Sequence, residues 1–244
     1  MSITTFLWLC PPILQAWLVV LLVNKRAARN FRFFFAYTIF AVVAEITRFS
    51  VRGNSATYFH VYLVTEPVYA LLSFLAICDV FYQVFKNFYS IWWFKFILPA
   101  TGIVMFCVAV LIATLRPPIQ AIPLLSAVFV FEIIVKFLQL GIFFLIFGLA
   151  QFYDLFWRQY SFGIASGFGV TAFGLLAAVV ARSVFGTRYA LTFQFVPSVT
   201  YLIAVLIWLA SFLKPLPPDP LRDVRPLLTP DLLRELYERY RRLR

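Results

Sequence analysis

An all-α bundle of seven transmembrane helices is the fold predicted by three features of the sequence. The first is composition. Of 244 residues, 63% are hydrophobic and 13% charged, whereas a soluble domain is about half apolar and about a quarter charged. Mean hydropathy is +0.91. The second is segmentation: seven apolar runs each approach the roughly 20 residues that a bilayer crossing requires. The third is where the charge sits. The formal net charge of +11 lies mostly in short connections and a tail. In a soluble protein that excess would suggest nucleic acid. Here it reads as membrane topology and attraction to anionic lipid headgroups, with no nucleic-acid partner.

The first run, 4–23, is followed rather than preceded by basic residues, so it is expected to remain as a span and not to act as a cleaved signal. The second, 33–51, carries Glu45 and Arg48 one turn apart. The third, 58–82, holds Glu66 directly before Pro67, with Tyr62, Tyr69 and Ser73 on the same face, and Asp79 near its far end. The fourth, 91–114, is apolar apart from Lys95, Thr101 and Thr114. The fifth, 122–150, contains Glu132 and Lys136, one turn apart, with Gln139 continuing their face. The sixth, 161–183, carries a stripe of Gly167, Thr171, Gly174, Ala178 and Arg182, extended inward by Gly163. Small residues four apart let helix backbones approach closely, so Gly163, Gly167 and Gly174 are read as packing positions. The seventh, 193–213, gathers Gln194, Ser198 and Tyr201 around Pro197.

Three domains follow: the helical bundle 1–213, a proline-rich linker 214–230, and a basic amphipathic helix 231–244. The linker contains six prolines and should be extended. In the last segment Thr229 suits an N-cap and Pro230 the first helical position. Leucines cluster on one side, and Arg234, Arg239 and Arg242 provide a basic surface for lipid or a protein partner.

Orientation follows from Lys and Arg, which are retained on the cytoplasmic side. With the N-terminus outside, fifteen fall inside and five outside. Trp8, Trp92, Trp93, Trp157 and Trp208, with Tyr58, Tyr89 and Tyr160, fall toward span ends and read as an interfacial aromatic belt. Spans two and six end in RFSVRG and RSVFG, and spans three and seven each carry a proline near the outer quarter. A three-plus-one-plus-three repeat would produce this, but the likeness is too thin to set above chance.

Cys10, Cys78 and Cys107 stand alone in apolar runs and read as buried thiols. With His60 the sole histidine, neither a metal centre nor a cofactor is expected. No nucleophile triad or glycine-rich phosphate loop occurs, so the chain reads as non-enzymatic.

The polar constellation is then Glu45, Arg48, Glu66, Glu132, Lys136, Arg182, Gln194 and Tyr201, almost all in the outer half. An ionisable residue inside a span costs about 2.5–3.5 kcal/mol on insertion scales, so it is expected to pair or to face a wet cavity. In one reading Glu45–Arg48 and Glu132–Lys136 are internal ion pairs. In the other, the cluster lines an outward-open site for a small polar ligand or an ion.

Seven helices with this orientation invite comparison with retinal proteins. Those need a lysine within the seventh helix, and Phe193–Leu213 has none. Gly163-Ile-Ala-Ser-Gly-Phe-Gly169, Tyr201 through Trp208, and Glu66 with Pro67 together resemble an uncharacterised family of bacterial seven-helix integral membrane proteins with no assigned activity. The resemblance implies fold and class alone. The expectation is a binding or sensing module, or an accessory subunit, in the bacterial cytoplasmic membrane. The alternative is a small transporter or proton pathway using the intramembrane carboxylates.

Overall fold

Seven α-helices account for nearly all of the described chain, and no strand occurs among the described residues. They are α1 (Ile3–Asn24), α2 (Arg32–Val51), α3 (Ser55–Phe85), α4 (Ile97–Leu115), α5 (Pro123–Phe152), α6 (Gln159–Phe185) and α7 (Ala190–Leu213). The computed structural model describes residues 3–115, 123–152, 159–185 and 190–214. The linker, the tail helix and Arg234, Arg239 and Arg242 lie outside the described residues, as does Trp157.

Five helices, α2, α3, α5, α6 and α7, are long and apolar enough to cross a membrane. In α1 and α4 the described apolar stretches, Cys10–Asn24 and Trp93–Val108, are shorter. The bundle surface is itself apolar: Ile13, Val64, Trp92, Ile103, Phe173 and Val184 are each at least half exposed. A soluble monomer rarely exposes such a contiguous apolar surface, because water penalises it.

Local signals place the boundaries. Asn54 caps α3, its Oδ1 accepting the N–H groups of Ala56 (3.1 Å) and Thr57 (3.2 Å). Phe31 gives α2 no side-chain cap. Asp79 faces the backbone N–H groups of Arg32 and Phe33 instead, where a carboxylate suits the positive helix end. The predicted fourth span starts too early, since Lys86–Ser90 and Trp93–Phe96 are 3₁₀ turns and α4 follows at Ile97.

Six helices form a closed ring in the order α1, α2, α3, α5, α6, α7, with α3 also meeting α6. α4 packs on α5 at the periphery, and Ile103, Val104, Phe106 and Leu111 on it are exposed. Pro11, Gln15, Leu18 and Leu22 of α1 are buried at the same helical spacing as Val135, Gln139, Ile142 and Ile146 of α5. Phe34 of α2 and Phe168 of α6 meet edge to face at 6.0 Å, and they precede Arg48 and Arg182 by the same interval.

The core is aromatic toward one end. Phe34, Phe168, Trp208 and Phe212 are fully buried and in mutual ring contact, and Tyr160 stacks on Phe212 at 4.5 Å. This corrects two belt assignments. Trp208 is 0% exposed, and its Nε1 donates to the Ile164 carbonyl at 3.3 Å. Tyr160 is buried as well. Trp208 lies deep because Gly167 leaves room: a Cβ there would stand 2.1 Å from Trp208 Nε1. Gly163 and Gly174 meet Ser211 and Thr200 just as closely. Cys107 is another correction, since on peripheral α4 it is exposed.

Candidate functional site

A polar cavity of about 220 Å³ opens among α2, α3, α5, α6 and α7. Its wall carries Glu45, Arg48, Glu66, Glu132, Lys136 and Tyr201, six of the eight residues in the predicted constellation. They come from four helices, and the shared helical faces of Glu45/Arg48 and Glu132/Lys136 bring two from each of α2 and α5.

Arg48 organises one side. Its Nη2 donates to Glu66 Oε2 at 2.6 Å and to Thr65 Oγ1 at 2.6 Å, and its Nε donates to Thr65 Oγ1 at 3.1 Å. Nη1 reaches Glu45 Oε1 only at 3.4 Å, and the guanidinium lies 5.2 Å from the centre of the Tyr62 ring. The strong contact is therefore between helices, to Glu66, while the predicted Glu45–Arg48 pair within α2 is the long one. A planar donor fork can satisfy several acceptors in a way a point charge cannot.

Across the cavity the expected Glu132–Lys136 pair does not form. The two ion pairs among the described residues both belong to Arg48. Sharing a helical face permits a contact without imposing it, and both side chains face the cavity instead. Lys136 is only 7% exposed and makes no hydrogen bond among the described residues. An unpaired ammonium so nearly buried is costly unless water or a ligand meets it.

Beneath the charges lies a layer of neutral hydrogen bonds. The hydroxyls of Tyr37, Tyr69 and Tyr201 converge from α2, α3 and α7. Gln15 of α1 donates its amide to Tyr201. Gln139 of α5 donates to Ser73 Oγ at 2.6 Å. Both glutamines are 0% exposed, and each leaves its Oε1 without a partner. Below the tyrosines the wall gives way to the aromatic core, where Tyr37 meets Phe168 and Trp208.

Arg182 is not part of the cavity. It is exposed in the last turn of α6, and Thr171 and Leu175 represent that helix in the wall. The stripe divides between two neighbours and ends short of Arg182: Gly163, Gly167 and Gly174 face α7, while Thr171 lines the cavity. The side chain of Gln194 lies outside the described residues. Sequence reasoning missed Gln15, Tyr37 and Thr65. Gln15 carried a usable signal, since it is a lone amide inside an apolar run. Thr65 had none, because a threonine beside Glu66 is ordinary in any helix.

No three His, Cys, Asp or Glu side chains are placed to hold a metal among the described residues. No protein-family model matches the chain, and neither does any curated protein or solved structure. The likeness to bacterial seven-helix proteins accordingly rests on its short motifs alone.

Proposed function

We propose that the chain is a seven-span protein of the bacterial cytoplasmic membrane, N-terminus outside and C-terminus inside, that binds a small polar ligand without transforming it. The observation that carries this reading is Lys136: an unpaired, almost fully buried ammonium facing a polar cavity together with the unpaired Glu132. A purely structural cluster would be expected to neutralise its charges internally, as Arg48 does with Glu66. The positive-inside bias supports a cavity mouth that faces outside.

A transporter would need a polar route to the other face. Below the tyrosines stand Phe34, Phe168, Trp208 and Phe212, all 0% exposed, and this weighs against the transport reading. Output from a bound state then falls to the basic tail, residues 231–244, acting on a protein partner.

Substituted-cysteine labelling tests the site. Ser198 lines the cavity and is exposed. In a chain with the native cysteines replaced, Ser198→Cys should react with a membrane-impermeant maleimide added to intact cells. Reaction only after lysis would overturn the outward-open site. Deleting 231–244 should leave the bundle monodisperse in detergent and remove copurifying protein. An unchanged set of copurifying proteins would sink the role given to the tail.

A further inference from the structure

Beside the polar cavity lies a second space of a different kind. A groove of about 320 Å³ runs between α1 and α2 on the bundle surface, walled by Pro12, Ile13 and Ala16 on one side and Val42, Ile46 and Phe49 on the other. All six are apolar. The single acidic residue of the groove is Glu45, and Glu45 also lines the polar cavity. The two spaces thus share one wall residue, the apolar one facing outward between two helices and the polar one lying within the ring.

We propose that the two together form one site for a zwitterionic amphiphile, which enters sideways from the bilayer between α1 and α2. This rests on the ligand-binding reading given above and names its ligand class. An acyl chain lies in the α1–α2 groove, where it exchanges lipid contacts for Ile13, Ile46 and Phe49. The headgroup passes Glu45 into the cavity. Its anionic group meets Lys136, which makes no hydrogen bond or ion pair among the described residues. Its ammonium meets Glu132 and Glu45, the two acids not tightly held by Arg48.

Charge selects this class over its neighbours. The cavity holds Glu45, Glu66 and Glu132 against Arg48 and Lys136, an excess of one negative charge. A purely anionic headgroup would satisfy Lys136 and leave Glu132 facing like charge. A purely cationic one would leave Lys136 unpaired. Only a head carrying both signs satisfies both residues. Tyr69 and Tyr201 line the same cavity.

The test is equilibrium binding to the full chain in nanodiscs of neutral lipid, with radiolabelled lysophosphatidylethanolamine as probe. Soluble phosphoethanolamine and lysophosphatidylglycerol serve as competitors. Two variants separate the halves of the site. Lys136→Met removes the headgroup contact, and Ala16→Trp, at an exposed position, fills the groove without entering the bundle. Each should weaken lysophosphatidylethanolamine at least about tenfold, the effect of one lost charge-assisted contact or of a blocked chain. Lysophosphatidylglycerol should compete at least about tenfold more weakly than the zwitterion. If phosphoethanolamine competes as well as the lyso-lipid and Ala16→Trp changes nothing, the lateral amphiphile site is overturned while the polar pocket stands. Equal competition by lysophosphatidylglycerol overturns the zwitterionic class. Absence of binding by all three, in a Ser198→Cys chain whose cavity labels from outside, overturns the amphiphile and leaves the pocket to another ligand. Absence of both binding and labelling overturns both readings. Should Lys136→Met fail to fold, Ala16→Trp still decides the lateral groove, and the two competitors, measured on the unaltered chain, still decide the headgroup class.

Discussion

Gln15 and Gln139 occupy matching places on α1 and α5. Each is fully buried, each donates its amide to the preceding helix of the ring, Gln15 to Tyr201 and Gln139 to Ser73, and each keeps a carbonyl oxygen without a partner among the described residues. Both sit at the same place in the burial spacing of their helices. Neither carbonyl oxygen accepts a hydrogen bond among the described residues.

That geometry sets an order of tolerance at Ser73. Gln139→Leu removes one hydrogen bond and also removes the unpartnered oxygen, and Ser73 keeps its bond to the Ala70 carbonyl at 2.7 Å. Ser73→Ala instead leaves both ends of the Gln139 amide unpaired. An orphaned buried polar group costs about 1–3 kcal/mol, whereas deleting a whole partner is close to neutral. Thermal unfolding in detergent should therefore rank Ser73→Ala below Gln139→Leu. The reverse order would mean that the glutamine oxygen is satisfied in the folded protein.

Arg48 should be the most sensitive position of the charged cluster. Removing it leaves Glu45 and Glu66 facing one another without a cation. Breaking a buried pair from one side costs about 3–5 kcal/mol, and Arg48→Met should approach that loss. Glu45→Gln should cost less than about 1 kcal/mol, because its contact is 3.4 Å and its side chain is 27% exposed. Equal effects would show that Glu45 and Glu66 share the arginine evenly.

How far these relationships could be read beforehand depends on their range in sequence. The apolar runs located the helices, since bilayer thickness sets a length that composition reports directly. The Glu45/Arg48 and Glu132/Lys136 faces were legible for the same local reason. The Arg48–Glu66 contact was not, because it joins two helices and nothing in one chain ranks Glu66 over Glu132 as its partner. Trp208 was misplaced because a tryptophan near a span end reads as an interfacial anchor until the gap at Gly167 is seen. Burial faces are hard to find in these helices at all. Lipid-facing and core-facing positions are both apolar, so periodicity loses the contrast that marks a soluble amphipathic helix. The peripheral place of α4 is hidden for that reason.

The glycines offer a clean contrast of packing against propensity. A Cβ on Gly167 would meet the buried Trp208 indole at 2.1 Å, whereas one on Gly148 or Gly102 would meet nothing within 4 Å. Overpacking a filled core costs about 1–3 kcal/mol. Alanine in an open helical position instead gains up to about 1 kcal/mol over glycine. Gly167→Ala should thus lower the unfolding temperature, and Gly148→Ala should hold or raise it. A harmless Gly167→Ala would require the α6–α7 contact to be looser than the structure has it.

The last expectation separates a ligand site from a structural ion pair at Glu132 and Lys136. Were the two a mutual pair, changing both to Leu and Met would be far better tolerated than changing either, because a lone buried charge is worse than none. They form no ion pair with one another, and both face the cavity. The energetic coupling between them should accordingly be smaller than that between Arg48 and Glu66, which touch at 2.6 Å. Two double-mutant cycles on unfolding in detergent measure this, one with Glu132→Leu and Lys136→Met and the other with Arg48→Met and Glu66→Leu. Contacting charges in a network couple by about 0.5–3 kcal/mol, and the Arg48 cycle should fall in that range with the Lys136 cycle below it. A larger coupling for Glu132 and Lys136 would return them to a structural role and remove the unpaired ammonium on which ligand binding rests.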